Sequence, residues 1–289
     1  MPELPEVETV RRGLYGLIIG RTVTAATFDA PKSFPNAPGD TNAFLIGATV
    51  ADVRRRAKVL LIDLSTNYTL VVHLKMTGQL VFVGTHERFG AGHPNDSLIN
   101  RLPDSSTRVT IDFGDGAHLF FNDQRKFGWM KLLPTLEVPN MAFMQKVGPE
   151  PLVDDFTSDQ FAARFTRRPG TSIKAALLDQ TVVAGVGNIY ADESLWGARV
   201  HPKRLVKTIT ADEFGALYRE MRSVMNLAIE KGGSTNQNYV NAEGKRGSYM
   251  DFARVFRREG LECPRCGTTV IKFKAAGRGT HICPQCQQL

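Results

Sequence analysis

The sequence predicts an α+β protein of several domains, and three observations lead to this prediction. An apolar stripe marks a helix at the N-terminus, short strands follow it, and a helical region precedes a cysteine-rich end. A length of 289 residues suits two domains better than one. No apolar run could span a bilayer, and the N-terminus lacks the basic start and apolar core of a secretory signal, so we expect a cytoplasmic protein without membrane contact.

The elements of the first half follow from residue spacing. A helix is predicted over residues 5–17, and short strands separated by Gly, Asn, Asp and Pro are predicted from residue 21 to about residue 133. Strands at this spacing favour a β-sandwich over a βαβ fold. The stretch 84–106 is rich in Gly, Pro, Asn and Ser, and we expect a long mobile loop there. The apolar stripe of the helix consists of Val7, Val10, Leu14 and Leu17.

The second half divides into a linker, a helical region, a loop and a small module. A helical pattern runs from residue 157 to about residue 231, and a polar, Gly-containing loop occupies residues 232–250. The predicted domains are a β-sandwich domain at 1–134, a linker at 135–153, a helical domain with its loop at 154–250, and a cysteine module at 251–289.

The charge of the chain is concentrated near its C-terminus. The formal net charge is +7 and the pI is about 9.3. Residues 231–289 hold 10 Lys and Arg against 4 Asp and Glu, whereas the preceding residues hold 26 against 25. This asymmetry favours a nucleic-acid contact in the last part of the chain over a merely solvated face.

All four cysteines lie in the last module as two pairs. Cys263 and Cys266 form one C-x-x-C knuckle, Cys283 and Cys286 form another, and sixteen residues separate the two. This spacing predicts one tetrahedral Zn²⁺ site, although a pair of disulfides or a redox motif would use the same residues. Four protein ligands leave no open position for water, so the zinc is expected to be structural.

A basic segment lies between the two knuckles. We expect a hairpin there with Arg278, flanked by Gly277 and Gly279, at its tip. Glycines permit close approach to a ligand, and a guanidinium can bind phosphate through two hydrogen bonds. The alternative is an exposed arginine in a turn.

The N-terminus carries residues that can form a covalent bond to an aldehyde-level carbon. Removal of Met1 would leave Pro2 with a secondary amine whose reference pKa is about 8. Such an amine condenses with an aldehyde-level carbon to give a cationic iminium, which draws electrons during elimination. Glu3 can act as a general acid or base, and Glu6 follows one helical turn later. From these residues alone, a frayed terminus with capping carboxylates is the simpler interpretation.

The N-terminal segment 1–9, the loop 232–235 and the four-cysteine end occur in an order that resembles the formamidopyrimidine-DNA glycosylase family over essentially the whole chain. The resemblance implies an N-terminal helix on a β-sandwich, a helix–two-turn–helix domain and a four-cysteine zinc finger, with double-stranded DNA as the partner. It also implies a monomeric bacterial enzyme of base excision repair that removes oxidised purines and cleaves abasic sites.

The same resemblance assigns catalytic roles. Pro2 would attack the anomeric carbon of the damaged nucleotide and form a Schiff base, after which β- and δ-elimination cut both sides of the sugar. Glu3 would transfer protons and Glu6 would support it. Lys58, next to an apolar strand, matches the lysine of the family that reaches the phosphate and assists the chemistry. Arg278 is also predicted to be a catalytic residue.

Further residues are implied to bind DNA. Met76, in the segment HLKMTG, would fill the gap left by the extruded nucleotide, while Arg125 and Phe127, in DQRKFG, would contact the orphaned base and wedge into the stack. A buried methionine and an apolar residue before a turn are the structural alternatives. Lys174 and Asn188, on either side of the two-turn region, are expected to contact phosphate. Arg108 is expected to do so where the family often has Lys-His, and Tyr239 is a further predicted DNA contact.

Two rival functions share most of these features. The sister enzyme endonuclease VIII removes oxidised pyrimidines, but its start usually reads PEGP, whereas Leu4 stands here. A zinc-ribbon protein that binds damaged DNA without cutting it would keep the fold, the zinc and the basic end. Pro2, Glu3 and Lys58 favour the enzyme.

Overall fold

The computed structural model describes residues 1–29, 31–93, 95–234 and 248–289. Its contacts divide the chain into two compact units. The first contains residues 1–145 and 231–248, and the second contains residues 146–230 and 249–289. The division into three domains and a linker expected from the sequence stays a prediction.

Helix α1 (Leu4–Ile18) opens the first unit, and its bounds agree with the predicted 5–17 to within one residue at each end. Its buried face carries Val7, Val10 and Leu14, which belong to the main core of this unit. Proline in the first turn is compatible with a helix because the N–H groups there have no partner within the helix.

The predicted β-sandwich is confirmed as two antiparallel sheets whose inner faces share one apolar core. One sheet has the strand order β1-β7-β8-β5-β6, and the other has the order β2-β3-β4-β9. The strands are β1 (Val23–Phe28), β2 (Val50–Arg56), β3 (Val59–Leu64), β4 (Tyr68–His73), β5 (Gly78–Val83), β6 (Arg88–Gly92), β7 (Thr107–Phe113), β8 (His118–Asp123) and β9 (Trp129–Pro134).

The structure corrects the loop expected at 84–106. β6 lies inside this stretch and pairs antiparallel with β5, and a 3-10 turn follows at Asp96–Leu98. The linker expected at 135–153 also contains structure, namely a 3-10 helix (Thr135–Asn140) and α3 (Ala142–Lys146). Earlier in the chain, the short helix α2 (Pro38–Phe44) lies between β1 and β2. These elements are short or glycine-rich, so their periodicity in the sequence is weak.

The second unit contains the predicted helices and a two-stranded ribbon. The helices are α4 (Ser158–Phe165), α5 (Ile173–Leu178), α6 (Asn188–Gly197) and α7 (Ala211–Glu230), and the ribbon strands are β10 (Ile271–Ala275) and β11 (Arg278–Ile282). No helix within the described ranges has both the length and the apolar character needed to cross a membrane.

Candidate active site and nucleic-acid contacts

The start of α1 holds Glu3 and Glu6 in a fixed arrangement. Glu3 is the N-cap residue, and its backbone N–H donates to a carboxylate oxygen of Glu6 at 2.7 Å. The other Glu6 oxygen accepts a hydrogen bond from the backbone N–H of Ser234 at 2.8 Å. Both carboxylates are buried, as is Pro2, which directly precedes them. Glu6 therefore fixes the backbone beside Pro2 and joins it to the segment that reaches Ser234.

Gly233 is required at this junction. Its φ of +90° lies in the region that favours glycine, and a Cβ built on it would lie 3.3 Å from both Cγ and Oε1 of Glu6. A larger residue would strain the backbone and press on the Glu6 carboxylate.

Lys58 lies in the tight turn between β2 and β3 and is buried. Ala57, before it, has a positive φ of 52°. Arg55 donates from its Nη1 atom to the carbonyl of Ala57 at 3.0 Å and from its Nε atom to Glu8 at 3.1 Å. A guanidinium thus ties the turn that carries Lys58 to α1.

Glu8 is the anionic partner of Arg55. Burial alone would raise its pKa, but hydrogen bonds from Arg11 and Arg12 outweigh burial and place the pKa of Glu8 below its usual value. The carboxylate therefore stays ionised opposite Arg55, which is only 12% exposed.

His73 lies at the end of β4, within electrostatic range of Lys58. Burial, reinforced by the positive charges of Lys75 and Lys58, lowers the pKa of His73 to about 3. Its Nδ1 atom accepts a hydrogen bond from the backbone N–H of Lys75 at 3.1 Å. The imidazole is therefore neutral at physiological pH, and it packs against the rings of Trp129 and Phe143.

The structure brings together the turn that contains Met76 and the loop that contains Arg125. The buried Asp123 carboxylate accepts hydrogen bonds from the Thr77 hydroxyl and from the backbone N–H groups of Phe127 and Gly128, the last two at 2.8 and 2.6 Å. The Arg125 N–H donates to the Thr77 hydroxyl at 3.1 Å. One buried carboxylate therefore holds both segments.

Two side chains of this loop extend into solvent. Phe127 is 46% exposed, although a large apolar side chain would ordinarily be buried. The Arg125 guanidinium lies 4.9 Å from the centroid of the Phe127 ring, and Met76 is half-buried in the neighbouring turn. An exposed aromatic ring therefore lies beside a cation, and the predicted role of Phe127 as a wedge stays a prediction.

The phosphate contact predicted for Arg108 stays a prediction, and the structure shows where this residue lies. This side chain is buried, and its guanidinium donates to the Asp123 carbonyl at 2.8 Å, to the Ser105 carbonyl at 2.7 Å and to the Asp29 carboxylate. Arg108 connects strands and loops inside the first unit, because its donors are directed at protein acceptors.

The four cysteines of the second unit form a structural zinc site. Their sulfur atoms all lie within 4.8 Å of one another, and three of the separations are 4.0, 3.4 and 3.5 Å. Four thiolates around Zn²⁺ at about 2.3 Å would be separated by about 3.8 Å, so the geometry fits the metal. The Trp196 indole N–H donates to the Cys263 sulfur at 3.4 Å and supports this ligand from outside. Hydrogen bonds from Thr268 lower the pKa of Cys266 to about 6, which favours the thiolate.

Arg278 lies directly after the tip of the ribbon, not at the tip as predicted. The tip consists of Ala276 and Gly277, both with positive φ, and Arg278 is the first residue of β11, paired with Ala275. Its side chain is exposed. Two positive φ values in a two-residue turn are typical of tight hairpins.

The N-terminus of α6 lies against the same ribbon. Asn188, the first residue of α6, donates from its side-chain amide to the Gly279 carbonyl at 2.9 Å. The turn before α6 is fixed by Gln180, whose amide contacts the backbone of Gly185 and Val186 at 2.9 and 2.8 Å. A helix N-terminus beside an exposed arginine suits a phosphate.

The phosphate contact predicted for Lys174 likewise stays a prediction. Its side chain is 0% exposed. The ammonium donates to the Asp192 carboxylate at 2.6 Å and to the Thr280 hydroxyl at 2.7 Å. Lys174 therefore fixes the ribbon to α5 and α6.

The first unit thus contains Pro2, Glu3, Glu6, Lys58, Met76, Arg125 and Phe127, and the second contains Asn188, Arg278 and the zinc ligands. Tyr239 lies outside the described residues. Sequence reasoning gave no role to Asp123 or to the Glu8–Arg55 pair. An acidic residue directly before a tight turn was the available signal for Asp123, whereas nothing local marks Arg55 as the partner of Glu8.

Three family models match successive parts of the chain. The formamidopyrimidine-DNA glycosylase N-terminal domain matches residues 1–130, the H2TH domain of the same enzymes matches residues 147–240, and a zinc finger found in these enzymes and in isoleucyl-tRNA synthetases matches residues 260–289.

Similar proteins cover the chain from end to end. The formamidopyrimidine-DNA glycosylases of Pediococcus pentosaceus and Herpetosiphon aurantiacus are 40% and 42% identical, over 100% and 99% of this chain and 100% of their own lengths. A Lactococcus lactis enzyme in complex with Fapy-dG DNA superposes with a TM-score of 0.87 at 33% identity, covering 100% of both chains. The same enzyme with abasic-site DNA gives 0.86 at 32% identity, covering 99% of this chain and 100% of its own. This chain therefore belongs to the formamidopyrimidine-DNA glycosylase family.

Proposed function

We propose that the chain is a bifunctional DNA glycosylase and abasic-site lyase of base excision repair, which removes 8-oxoguanine and formamidopyrimidines from double-stranded DNA. The observation that carries the proposal is the fixed start of α1, where Glu6 holds the backbone of Glu3 directly beside Pro2. Family membership supports it, since solved relatives from Lactococcus lactis hold DNA that contains Fapy-dG or an abasic site.

In the proposed reaction the nucleophile is the amine of Pro2 after removal of Met1. The nitrogen forms a bond to C1′ of the damaged nucleotide as the glycosidic bond breaks, and the base leaves with a proton. The C1′–O4′ bond of the sugar ring then breaks as O4′ takes up a proton, which leaves a cationic iminium at C1′. The iminium acidifies the C2′ proton, so β-elimination breaks the bond from C3′ to its phosphate. Loss of the C4′ proton then drives δ-elimination at C5′.

Glu3 is the proposed proton-transfer residue at the opening sugar, because it neighbours the amine and its carboxylate is buried. Glu6 is a positioning residue, since both of its oxygens are occupied by backbone N–H groups. Lys58 assists at the phosphate of the reacting nucleotide, and Arg55 positions the turn that carries it.

The remaining predicted residues bind the duplex. Met76 and Phe127 fill the space of the extruded nucleotide, and Arg125 contacts the orphaned base. Asn188 and Arg278 contact phosphate, with Lys174 holding the ribbon behind them. Tyr239 keeps its predicted DNA contact. We also propose that the protein works in the bacterial cytoplasm, where the genomic duplex lies.

Borohydride trapping tests the chemistry. An 8-oxoguanine duplex incubated with the enzyme and sodium borohydride should become covalently joined to Pro2, because reduction converts the iminium into a stable amine. Peptide mass spectrometry should find the adduct on Pro2. Full excision activity in a protein that retains Met1 would overturn the mechanism.

A matched pair of variants tests Glu3. Glu3→Gln should abolish base excision, whereas Glu137→Gln, at an exposed position of the same unit, should leave it unchanged. Near-normal base release by Glu3→Gln would contradict the assigned role.

Removal of oxidised pyrimidines is the second candidate. A Lactococcus lactis relative has been solved with DNA containing an oxidised pyrimidine, at 33% identity to this chain. A lesion panel that pairs each damaged base with each opposite base decides between the two, and faster excision of 8-oxoguanine opposite cytosine is expected.

A further inference from the structure

Strand β6 is held against α1 by a close contact. The ring of Phe89 lies over Gly13, where a Cβ would come within 2.0 Å of a ring atom. At the end of β6, Gly92 has a φ of +126°, and a Cβ there would lie 2.5 Å from the Gly78 carbonyl oxygen. Only glycine fits both positions, so the chain leaves β6 along a fixed path toward His93.

The backbone of His93 is fixed on both sides. Its N–H donates to the Gly78 carbonyl at 3.0 Å, and its carbonyl accepts from the Gln79 side-chain amide at 2.5 Å. Gln79 is fully buried, and its amide also donates to Asn95 at 2.7 Å. A buried amide of this kind is rigid because every alternative position would leave polar atoms without partners.

The imidazole of His93 is half-buried and has no hydrogen-bond partner among the residues that the structure describes. Burial and the positive charge of the amino terminus lower the pKa of His93, while Asp123 acts in the opposite direction. The ring is thus within electrostatic range of both the N-terminus and the carboxylate that holds the loop of Arg125 and Phe127. Gly92, next to His93, lines a cavity together with Glu6 of α1. Gly78, which accepts the His93 N–H, pairs with Asp123 across β5 and β8.

We propose that His93 contacts DNA in the active site, donating a ring N–H to the sugar–phosphate of the nucleotide that Pro2 attacks. This inference rests on the proposed function and extends it to a segment that the sequence predicts to be an unstructured loop. A neutral imidazole suits the position because it supplies a directed donor without adding positive charge beside the amine.

Binding of a duplex with a tetrahydrofuran abasic-site analogue, followed by fluorescence anisotropy, tests the contact. His93→Ala should weaken binding about three- to tenfold, as expected for one lost hydrogen bond, and should slow single-turnover excision of 8-oxoguanine. His86→Ala, at the exposed far end of the same hairpin, is the matched control and should bind as the unchanged protein does.

A second pair of variants separates the contact from packing. His93→Gln keeps a neutral donor, whereas His93→Phe fills the space without one. Restored binding in the Gln variant and weak binding in the Phe variant support the inference, even if the Ala variant unfolds. Equal binding by the Gln and Phe variants would overturn it. Failure of the unchanged protein to form a borohydride adduct would instead refute the proposed function.

Discussion

The Lys174 ammonium lies 2.6 Å from the Asp192 carboxylate, and neither side chain is exposed to solvent. The other Asp192 oxygen accepts the backbone N–H of His281 at 2.9 Å. One buried ion pair therefore joins α5, α6 and the zinc ribbon, and the exposed Arg278 is held on a strand that this pair supports.

Loss of the Lys174 charge should strongly destabilise the second unit. Lys174→Met keeps most of the volume but leaves Asp192 buried without its cation, which costs about 3–5 kcal/mol. Thermal and denaturant unfolding measure the effect. Lys207→Met, at an exposed site of the same unit, should change the free energy of unfolding by less than about 0.5 kcal/mol. Similar stabilities for the two variants would contradict the structural role.

Arg278→Ala should weaken DNA binding with little dependence on sequence. Loss of one phosphate contact should reduce the slope of log K against log salt concentration by about one unit. Lys272→Ala, on the other strand of the ribbon and paired with Glu259 at 2.9 Å, is the control with an unchanged slope. An identical slope for Arg278→Ala and the unchanged protein would rule out a phosphate contact.

Asp123→Asn should loosen the loop that carries Phe127. The new amide would direct a donor at the backbone N–H groups of Phe127 and Gly128, or at the Thr77 hydroxyl, so we expect destabilisation of about 1–3 kcal/mol. Binding of an abasic-site duplex should weaken more than binding of undamaged duplex, because the wedge acts only where a base is extruded. A uniform loss for both duplexes would count against this explanation.

His73 should make stability depend on pH. Below about pH 6.5 the unfolded chain takes up a proton that the folded chain does not bind until about pH 3, so the free energy of unfolding falls as pH decreases through this range. The contribution to the slope approaches about 1.4 kcal/mol per pH unit. In His73→Gln, denaturant unfolding between pH 7.5 and 5 should show a correspondingly flatter decline. Parallel curves would contradict the assigned protonation.

Removal of zinc should abolish the arrangement around Arg278. A chelator that removes Zn²⁺ from the four thiolates leaves the ribbon without the metal that orders it. Binding of abasic-site duplex should therefore be lost, and it should return when Zn²⁺ is added back. Zinc release measured with a colorimetric chelator should parallel the loss of binding. Full binding by metal-free protein would show that DNA binding does not require the zinc.

The sequence predicted the elements that have strong periodicity and the residues that lie in local motifs. α1 and most sandwich strands follow from apolar spacing, and the zinc ligands follow from cysteine spacing. β6 was missed because it reads RFGAG, in which glycines normally indicate a loop. Here Gly90 and Gly92 are needed for close approach to Leu98 and Gly78.

The buried positions of Lys174 and Arg108 could not be predicted from the sequence, for one physical reason. Whether Lys174 or Arg108 faces solvent depends on partners far away in the chain, such as Thr280 for Lys174 and Asp29 for Arg108. Residue type and local pattern contain no information about such partners. The Phe127 ring is exposed in a loop of a few residues, and its role as a wedge stays a prediction.

The dependence of the ribbon on α6 has a consequence for synthesis on the ribosome. Glu193 of α6 accepts hydrogen bonds from the backbone N–H groups of Arg254, Val255 and Phe256, at distances between 2.8 and 3.1 Å. Its neighbour Asp192 receives His281. These donors are synthesised at least 61 residues after Asp192 and Glu193, so the two carboxylates gain these partners only once that later chain has been made. A chain cut before Arg254 would leave both carboxylates without them.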